Sequence, residues 1–242
     1  MSAYGRDLAW IHDTGFTTFA REAAPGLLRL LRQNGVSKGL VVDAGSGSGV
    51  WARALTDRGY DVLGIDISPA MIALARRHAP AAKFQAGSLF SAKIPACDAV
   101  TSIGECVNYA FDRKSGKQGL AAFFRRVHAA LRPGGVFLFD TVEPGVSDLA
   151  PARRFSEGPG WAILLEVDEN RARHTLTRRI VSYRQVRHLY RRSEEIHRLH
   201  LYSHDELLAG LAAAGFEAQV LSGYGKFQCQ PAHTAFLARQ PE

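Results

Sequence analysis

One glycine-rich stretch, Val41–Gly49, constrains the fold of this chain more than any other feature of its 242 residues. It begins as an apolar strand, continues as a turn with glycine at alternate positions, and leads into a helical pattern. Glycines between a strand and a helix let a ligand approach the backbone closely, because no Cβ intervenes. The dinucleotide fingerprint would need a glycine where Val50 stands, and the Walker pattern would need Gly-Lys-Ser/Thr; the sequence has neither.

The carboxylate just before this turn indicates the charge of the ligand. Asp43 would oppose the negative charge of a pyrophosphate and would attract a cationic amine. This favours a nucleoside that bears an amino acid over NAD. A second carboxylate, Asp66, ends the next strand, where it can accept hydrogen bonds from both hydroxyls of a ribose. The alternative is that Asp66 caps the following helix, but Ser68 already fills that position.

Short apolar runs alternate with helical patterns on both sides of this turn. Helices are predicted at 23–33, 50–58, 69–78 and 118–131, and strands at 40–44, 61–66, 83–86, 98–103 and 136–141. Alternation of this kind indicates parallel βαβ units with helices on both faces of the sheet.

After Pro144 the pattern changes to that of an antiparallel insert, with arginine-rich and β-branched strands predicted at 161–167, 175–186 and 196–202. Ser203 and Glu206 have the spacing of a capping box, which predicts a helix over 206–214, followed by strands at 217–221 and 234–238. Three units follow from this organisation: an N-terminal helical segment of 1–36, a main domain of 37–145 and 203–242, and an insert of 146–202.

Composition and charge exclude several classes of protein. The apolar share of 46% and the charged share of 22% are typical of a soluble globular chain. No apolar run approaches the length of a membrane span, and the N-terminus lacks the apolar core of a signal peptide, so we expect a cytoplasmic protein. The three cysteines form no CxxC pair, which argues against a disulfide framework and a structural zinc.

The net charge of +7 is concentrated in residues 151–200, which hold eleven arginines and six acidic residues. A uniformly basic nucleic-acid binder would have a different distribution. A solvated arginine face is the simpler explanation; if some arginines face inward, an anionic acceptor is expected.

Taken together and in order, these motifs resemble those of the class I S-adenosylmethionine-dependent methyltransferases. The resemblance covers residues 38–141 and is carried by Val41–Gly49, Gly64–Met71, Gln85–Leu89 and Leu131–Gly135. It implies an α/β fold: a Rossmann-like, seven-stranded, mostly parallel sheet with helices on both faces, plus a small antiparallel β insert. It also implies S-adenosylmethionine as the cofactor and S-adenosylhomocysteine as its product.

The resemblance assigns expected roles to individual residues. Gly45 and Gly47 would pass under the methionine moiety, and Asp43 would hold its ammonium group. Asp66 would bind the ribose, while Ile67 and Met71 would pack on the adenine. Where many relatives carry an aspartate for the adenine amino group, this chain has Ser88, whose hydroxyl would serve together with the Leu89 amide. The remaining residues of the expected cofactor site are Ser46, Gly87, Ile103 and Gly104, with Tyr4, Trp10 and Ile11 from an N-terminal segment folded over the cofactor.

The segment Gly104–Tyr109 resembles a subgroup that acts on small molecules, often on amines of sugars or metabolites. It lacks the Asn/Asp-Pro-Pro-aromatic run of base amino methyltransferases and the Pro-Cys nucleophile of cytosine-C5 enzymes. A base is needed only for an acceptor that arrives protonated. Glu105 and His197 are the candidate bases, and Tyr109 is a candidate for positioning the acceptor.

Several alternatives stay open at this stage. Trp10 and Phe16 can equally be core residues of a helix. Glu195 and His197 share one face of a strand, which can face either the acceptor or solvent. A metal site is not expected, because His197 and His200 point to opposite faces. The other candidate functions are an RNA or tRNA methyltransferase that uses the arginine-rich insert, and a non-catalytic cofactor-binding module.

Overall fold

Residues 3–149 and 152–241 are described by a computed structural model, which contains two main sheets and one short hairpin. The strands, in chain order, are β1 (Leu40–Ala44), β2 (Asp61–Asp66), β3 (Lys83–Ala86), β4 (Cys97–Ser102), β5 (Leu131–Val142), β6 (Arg153–Gly158), β7 (Trp161–Asn170), β8 (Thr175–Val186), β9 (Leu189–His200), β10 (Glu217–Leu221), β11 (Gly223–Tyr224), β12 (Phe227–Gln228) and β13 (His233–Arg239).

Seven of these strands form the central sheet in the order β10-β13-β5-β4-β1-β2-β3. Strands β1 to β5 pair in parallel, whereas β13 runs antiparallel to both β5 and β10. The predicted seven-stranded, mostly parallel sheet with an additional antiparallel sheet is therefore confirmed. The strand order reverses beside β1, which places the loops after β1 and β4 next to each other, where α/β proteins bind ligands.

The helices are α1 (Arg6–Gly15), α2 (Thr18–Gln33), α3 (Val50–Thr56), α4 (Pro69–His78), α5 (Lys117–Ala130), α6 (Val146–Leu149) and α7 (His204–Ala213). Two start signals in the sequence form as expected. Ser68 caps α4 by accepting a hydrogen bond from the Met71 amide at 3.2 Å. Ser203 and Glu206 form both bonds of a capping box at the start of α7.

Apolar side chains cover both faces of the central sheet. On β1, Val41 belongs to a core with α2 and α3, and its neighbour Val42 belongs to a core with α5 and α7. Successive side chains of a strand point to opposite faces, so a continuous apolar strand can contribute to two cores. The predicted positions of helices on both faces agree with this arrangement.

The second sheet is antiparallel, in the order β6-β7-β8-β9. β8 has the predicted bounds, β7 extends three residues beyond its predicted end, β9 begins seven residues earlier than predicted, and β6 was not predicted. Most residues of β6 are exposed, so it carries little apolar periodicity and is held by backbone pairing with β7. The hairpin of β11 and β12 was also missed, because strands of two residues have no periodicity.

Helix α1 and the loop after β4 connect this second sheet to the ligand-binding end of the central sheet. The loop joins β9 through a bridge between Tyr109 and Leu199. Asp7 of α1 accepts hydrogen bonds from Arg184 at 3.1 Å and from Arg191. Because Asp7 is buried, these partners stabilise its charge and hold α1 on the sheet.

Among the described residues, none of the helices combines the length and the apolar character needed to cross a bilayer.

Candidate active site

The turn after β1 is held in a conformation that only glycine adopts readily. Gly45, Gly47 and Gly49 all have positive φ angles, of 92°, 51° and 81°. A Cβ on Gly45 would lie 2.4 Å from the sulfur of Cys106, whereas a Cβ on Gly47 would meet nothing within 4 Å. The turn therefore packs closely at Gly45 and leaves open space above Gly47.

Asp66 links this turn to the end of β2. Its carboxylate accepts hydrogen bonds from the backbone amides of Gly47 and Ser68, both at 2.8 Å. Burial raises the pKa of Asp66, against the effect of these two bonds. Because each carboxylate oxygen has two lone pairs, Asp66 can organise the turn and still accept hydrogen bonds from a ligand.

Asp43 lies at the end of β1 with fewer partners. Its side chain is 2% exposed and accepts one hydrogen bond, from the Thr101 hydroxyl at 2.9 Å, which in turn accepts one from the Trp51 indole at 3.1 Å. Burial, with a contribution from the charge of Asp66, raises the pKa of Asp43 to about 7. A cationic group beside Asp43 would lower this pKa again, so the site is suited to binding an ammonium.

Two adjoining cavities lie along these strand ends. The larger has a volume of about 350 Å³ and extends from the turn to α1, α2 and the segment after β11. The smaller, of about 70 Å³, lies beyond Asp66, next to Ser88 and Leu89. Tyr4, Gly45, Asp66, Cys106 and Tyr109 line both.

Comparisons with known proteins agree with this geometry. A family model described as a methyltransferase domain matches residues 41–135. The malonyl-[acyl-carrier protein] O-methyltransferase of Serratia marcescens is 31% identical over 108 residues, which are 43% of this chain and 39% of that protein. The match thus covers well under half of the length of this curated relative.

Solved structures share the fold over nearly the whole chain. An S-adenosylmethionine-dependent methyltransferase from Clostridium acetobutylicum has a TM-score of 0.82 at 16% identity, covering 97% of this chain and 98% of the other. The sugar N-methyltransferase KedS8 from Streptoalloteichus has a TM-score of 0.79 at 23% identity, covering 100% and 97%. The amino pentose methyltransferase CalS10 from Micromonospora echinaspora has a TM-score of 0.75 at 20% identity, covering 99% of both.

Residues 41–135 thus match a methyltransferase domain, and nearly the whole chain shares the fold of S-adenosylmethionine-dependent methyltransferases. Most residues predicted for the cofactor and acceptor site line one of the two cavities. Those at the larger cavity are Tyr4, Asp43, Gly45, Ser46, Gly47, Asp66, Met71, Ile103, Gly104, Glu105 and Tyr109. Those at the smaller cavity alone are Ile67, Gly87, Ser88 and Leu89.

Three of the predicted site residues lie elsewhere. Trp10 packs under the Arg184 guanidinium, 4.3 Å from the ring centre, and Ile11 is buried against Trp161 and Ile163 of the second sheet. They attach α1 to that sheet, because the helical period turns them away from the cavity. The sequence left open whether Trp10 and Phe16 are core residues of a helix. Trp10 packs in the core between α1 and the second sheet, whereas Phe16 lines the larger cavity.

His197, the third, is fully buried behind Tyr4. Its Nε2 lies 3.0 Å from a carboxylate oxygen of Glu195, whose other oxygen accepts a hydrogen bond from the Gly5 amide at 2.8 Å. The ring of His197 packs 4.9 Å from that of Tyr4. The shared strand face of Glu195 and His197 therefore points inward, but it supports the N-terminal segment and does not line either cavity.

Glu105 forms the centre of a buried charged cluster. Arg178 donates to both of its carboxylate oxygens, with the Nη2–Oε2 distance at 3.0 Å, and the Tyr109 hydroxyl donates to it at 3.4 Å. Burial alone would raise the pKa of Glu105, but the charge and hydrogen bonds of Arg178, together with the nearby imidazole of His233, lower it to about 2. Glu105 therefore stays ionised and is too weak a base to take a proton from an acceptor.

Two residues of the site were missed in the sequence. Asp140, near the end of β5, accepts hydrogen bonds from the Gly104 amide at 2.8 Å, from the Glu105 amide and from the Tyr224 hydroxyl. It holds Glu105 in a left-handed conformation with φ of 56°, which is unfavourable outside glycine. The sequence pattern could have identified Asp140, because it is an aspartate near the end of a parallel strand, as Asp43 and Asp66 are. His233, on the wall opposite Glu105, had no such signal.

Proposed function

We propose that this protein transfers a methyl group from S-adenosylmethionine to a small molecule, and that the accepting atom is an amine nitrogen. The observation that carries the proposal is the elongated cavity along the ends of β1 and β2, with a carboxylate at each strand end and an open glycine turn between them.

The cavity residues fit the chemical groups of this cofactor. Asp43 would accept a hydrogen bond from the ammonium of the methionine moiety, which would also keep its buried carboxylate ionised. The open space above Gly47 would admit the chain of the ligand, and Asp66 would accept from the ribose hydroxyls. Ile67, Ser88 and Leu89 would surround the adenine at the smaller cavity, and Met71 would contact it from the wall of the larger cavity.

The bound cofactor supplies a methyl group that its sulfonium charge has already activated. The protein then has to orient the acceptor and exclude water, and orientation can contribute roughly 7–11 kcal/mol. Tyr4 is placed for both tasks, since it lines both cavities and its carbonyl accepts a hydrogen bond from the Ser68 hydroxyl at 2.7 Å. Its hydroxyl lies 3.1 Å from that of Tyr109, which would face the acceptor beside Glu105.

The charge of the larger cavity supports an amine acceptor. Its lining includes the carboxylates of Asp43, Asp66, Glu105 and Asp140, and among the described residues no lysine or arginine lines it. Such a wall attracts cations and repels anions. An anionic acceptor was expected only if arginines faced inward. Arg178 does face inward, but its charge is paired with that of Glu105, so it gives no support to an anionic acceptor. Two structural relatives are named for nitrogen or amino sugar methylation, which agrees with this choice.

Isothermal titration with S-adenosylhomocysteine tests the cofactor first. The folded wild type should bind at micromolar affinity, and Asp66→Asn should bind at least tenfold more weakly, because a charge-assisted hydrogen bond contributes about 1.5–3 kcal/mol. Asp57→Asn is the matched control, since Asp57 is an exposed residue paired with Arg53. Absence of binding by the folded wild type would overturn the proposal.

A homocysteine-release assay with a panel of small amines, alcohols and carboxylates then tests the acceptor. Turnover with amines supports a nitrogen acceptor. Turnover confined to carboxylates or alcohols would retain the methyltransferase and refute the amine.

A further inference from the structure

His233 is an imidazole of the cavity wall that none of the assigned roles uses. It begins β13, where it pairs with Val142 of β5, and its side chain is 29% exposed. Its Nε2 lies 3.7 Å from a carboxylate oxygen of Glu105, across the wall of the larger cavity. An imidazole that faces both the cavity and solvent can take a proton from a ligand and release it to water.

The backbone determines which nitrogen of His233 titrates. Nδ1 lies 3.1 Å from the carbonyl oxygen of Pro231. Because a carbonyl can only accept, this contact requires the hydrogen to be on Nδ1. The lone pair is then on Nε2, which is the atom beside Glu105.

The charges around His233 make it a stronger base than an ordinary histidine. Burial by itself would lower the pKa of His233, but the negative charge of Glu105, 3.7 Å away, with contributions from the Pro231 carbonyl and from Asp140, raises it above its usual value. Arg178 offsets part of this charge through its pair with Glu105. Since Glu105 stays ionised, it provides a constant negative charge beside Nε2.

The other histidine of the cavity is less suited to the same task. His12 also lines the larger cavity, but burial lowers its pKa, and its Nδ1 has no hydrogen-bond partner among the described residues. It can accept a hydrogen bond from a ligand, yet it holds a proton poorly. His197, the base suggested by the sequence, is enclosed behind Tyr4.

We propose that Nε2 of His233 accepts the proton of the protonated amine, with Glu105 as the residue that positions and polarises the imidazole. The inference rests on the proposed function. The ammonium N–H bond breaks, its electron pair stays on nitrogen, and the proton forms a new N–H bond at Nε2. The freed nitrogen lone pair then forms the bond to the transferred methyl carbon, whose former bonding pair stays with sulfur. The proton leaves His233 through its exposed face.

A nuclear magnetic resonance titration of the histidine ring protons tests the inference without turnover. In the wild type the His233 signal, assigned by its loss in His233→Asn, should titrate above the usual pKa of about 6.5. Glu105→Gln should lower that pKa if the variant folds, because it removes the negative charge beside Nε2. A wild-type His233 that titrates at or below 6.5 would overturn the proposal whether or not the Glu105 variant folds.

The pH profile of turnover provides the second test. At neutral pH His233→Asn should reduce kcat/KM by about 10²-fold or more, the usual contribution of a base, with binding of S-adenosylhomocysteine retained. The deficit should shrink as the pH rises, because the amine then loses its proton to solvent. His188→Asn is the matched control, an exposed histidine in the turn between β8 and β9.

The outcomes separate this inference from the proposed function. If the wild type neither binds the cofactor nor releases homocysteine, the function itself fails. If the wild type is active and His233→Asn keeps its full rate and pH profile, only the role of His233 is refuted.

Discussion

The aspartates at the strand ends share a position in the fold but differ in their hydrogen bonds. Asp66 and Asp140 each accept two or more bonds from backbone amides, whereas Asp43 accepts one bond from a hydroxyl. Asp43 is therefore the carboxylate whose charge is least compensated in the ligand-free protein. Residues of this kind often reduce stability and support function.

Replacing Asp43 by asparagine should separate these two effects. Because burial raises the pKa of Asp43 from 3.8 to about 7, the ionised side chain destabilises the folded state. Asp43→Asn should raise the free energy of unfolding by about 1 kcal/mol or more at about pH 8, while cofactor affinity falls roughly tenfold or more.

The sign of the pH dependence follows from the raised pKa. Between about pH 4 and pH 7 the folded wild type binds the proton more tightly than the unfolded chain, so its stability falls as the pH rises. The stability difference between variant and wild type should grow over this range and stay constant above it. Urea unfolding across that range measures it, and equal stability at all pH values would contradict the prediction.

Asp112 supplies a carboxylate at the smaller cavity, which it lines together with Ser88. Ser88 stands where the resembled family often has an aspartate. Burial would raise the pKa of Asp112, but the hydrogen bond from the Lys114 amide at 2.9 Å lowers it, so the side chain is ionised at neutral pH. With the cofactor bound as proposed, Asp112 would accept a hydrogen bond from the adenine amino group at this cavity.

A ligand that lacks this amino group tests the position. Wild-type protein should bind S-adenosylhomocysteine more tightly than S-inosylhomocysteine, and Asp112→Asn should reduce that preference by about tenfold, the effect of one hydrogen bond to a charged group. Titration of both ligands against both proteins measures how much the substitution changes the preference for the ligand with the amino group. An unchanged preference in the variant would assign adenine recognition to Ser88 and Leu89 alone.

At the scale of elements, helix α2 and the hairpin of β11 and β12 pack unusually closely. Pro25 and Gly26 lie in the middle of α2, and a Cβ on Gly26 would be 1.9 Å from the carbonyl oxygen of Tyr224. The hairpin carries Phe227 into the cavity wall, and Tyr224 holds Asp140. The glycine therefore sets the distance between a helix and one wall of the site.

Gly26→Ala should force these elements apart. We expect a loss of about 1–3 kcal/mol in unfolding free energy, as for other overpacked positions, and a lower rate of methyl transfer. Gly210→Ala is the control, because its added Cβ would make ordinary contact with Phe124 inside α7 and should be neutral or stabilising. Chemical denaturation of both variants measures the difference, and a stable Gly26→Ala protein would contradict it.

At the scale of the whole molecule, the positive charge of the second sheet is largely paired within the protein. Seven of its arginines form ion pairs with acidic side chains: Arg153, Arg171, Arg178, Arg179, Arg184, Arg191 and Arg192. Their partners include Asp7 and Glu105 from outside the sheet. This pairing explains how most of the eleven arginines can serve the structure without a nucleic-acid partner.

The protein should therefore bind RNA weakly and without specificity. Titration with a structured RNA at increasing salt should show only low affinity that disappears near physiological ionic strength, because few phosphates would be neutralised. Tight binding that persists at this salt would favour the RNA methyltransferase. S-adenosylhomocysteine binding in the same buffers is the control for a folded site.

The sequence by itself was sufficient for features that depend on neighbouring residues. The turn Val41–Gly49, the cap at Ser68 and the capping box at Ser203 all follow from local backbone geometry, and the parallel units follow from apolar periodicity. Asp43 and Asp66 were recognisable because the ends of parallel strands meet at one edge of a sheet.

Only the tertiary structure decided how distant segments meet at the site. Glu105 and Arg178, which are 73 positions apart, pair because the second sheet folds back over the loop after β4. His233 reaches the cavity through the antiparallel register of β13, and Trp10 and Ile11 turn away because α1 packs on that sheet. A one-residue change of register would reverse the face of every strand residue, and periodicity within one segment contains no information about its register with another.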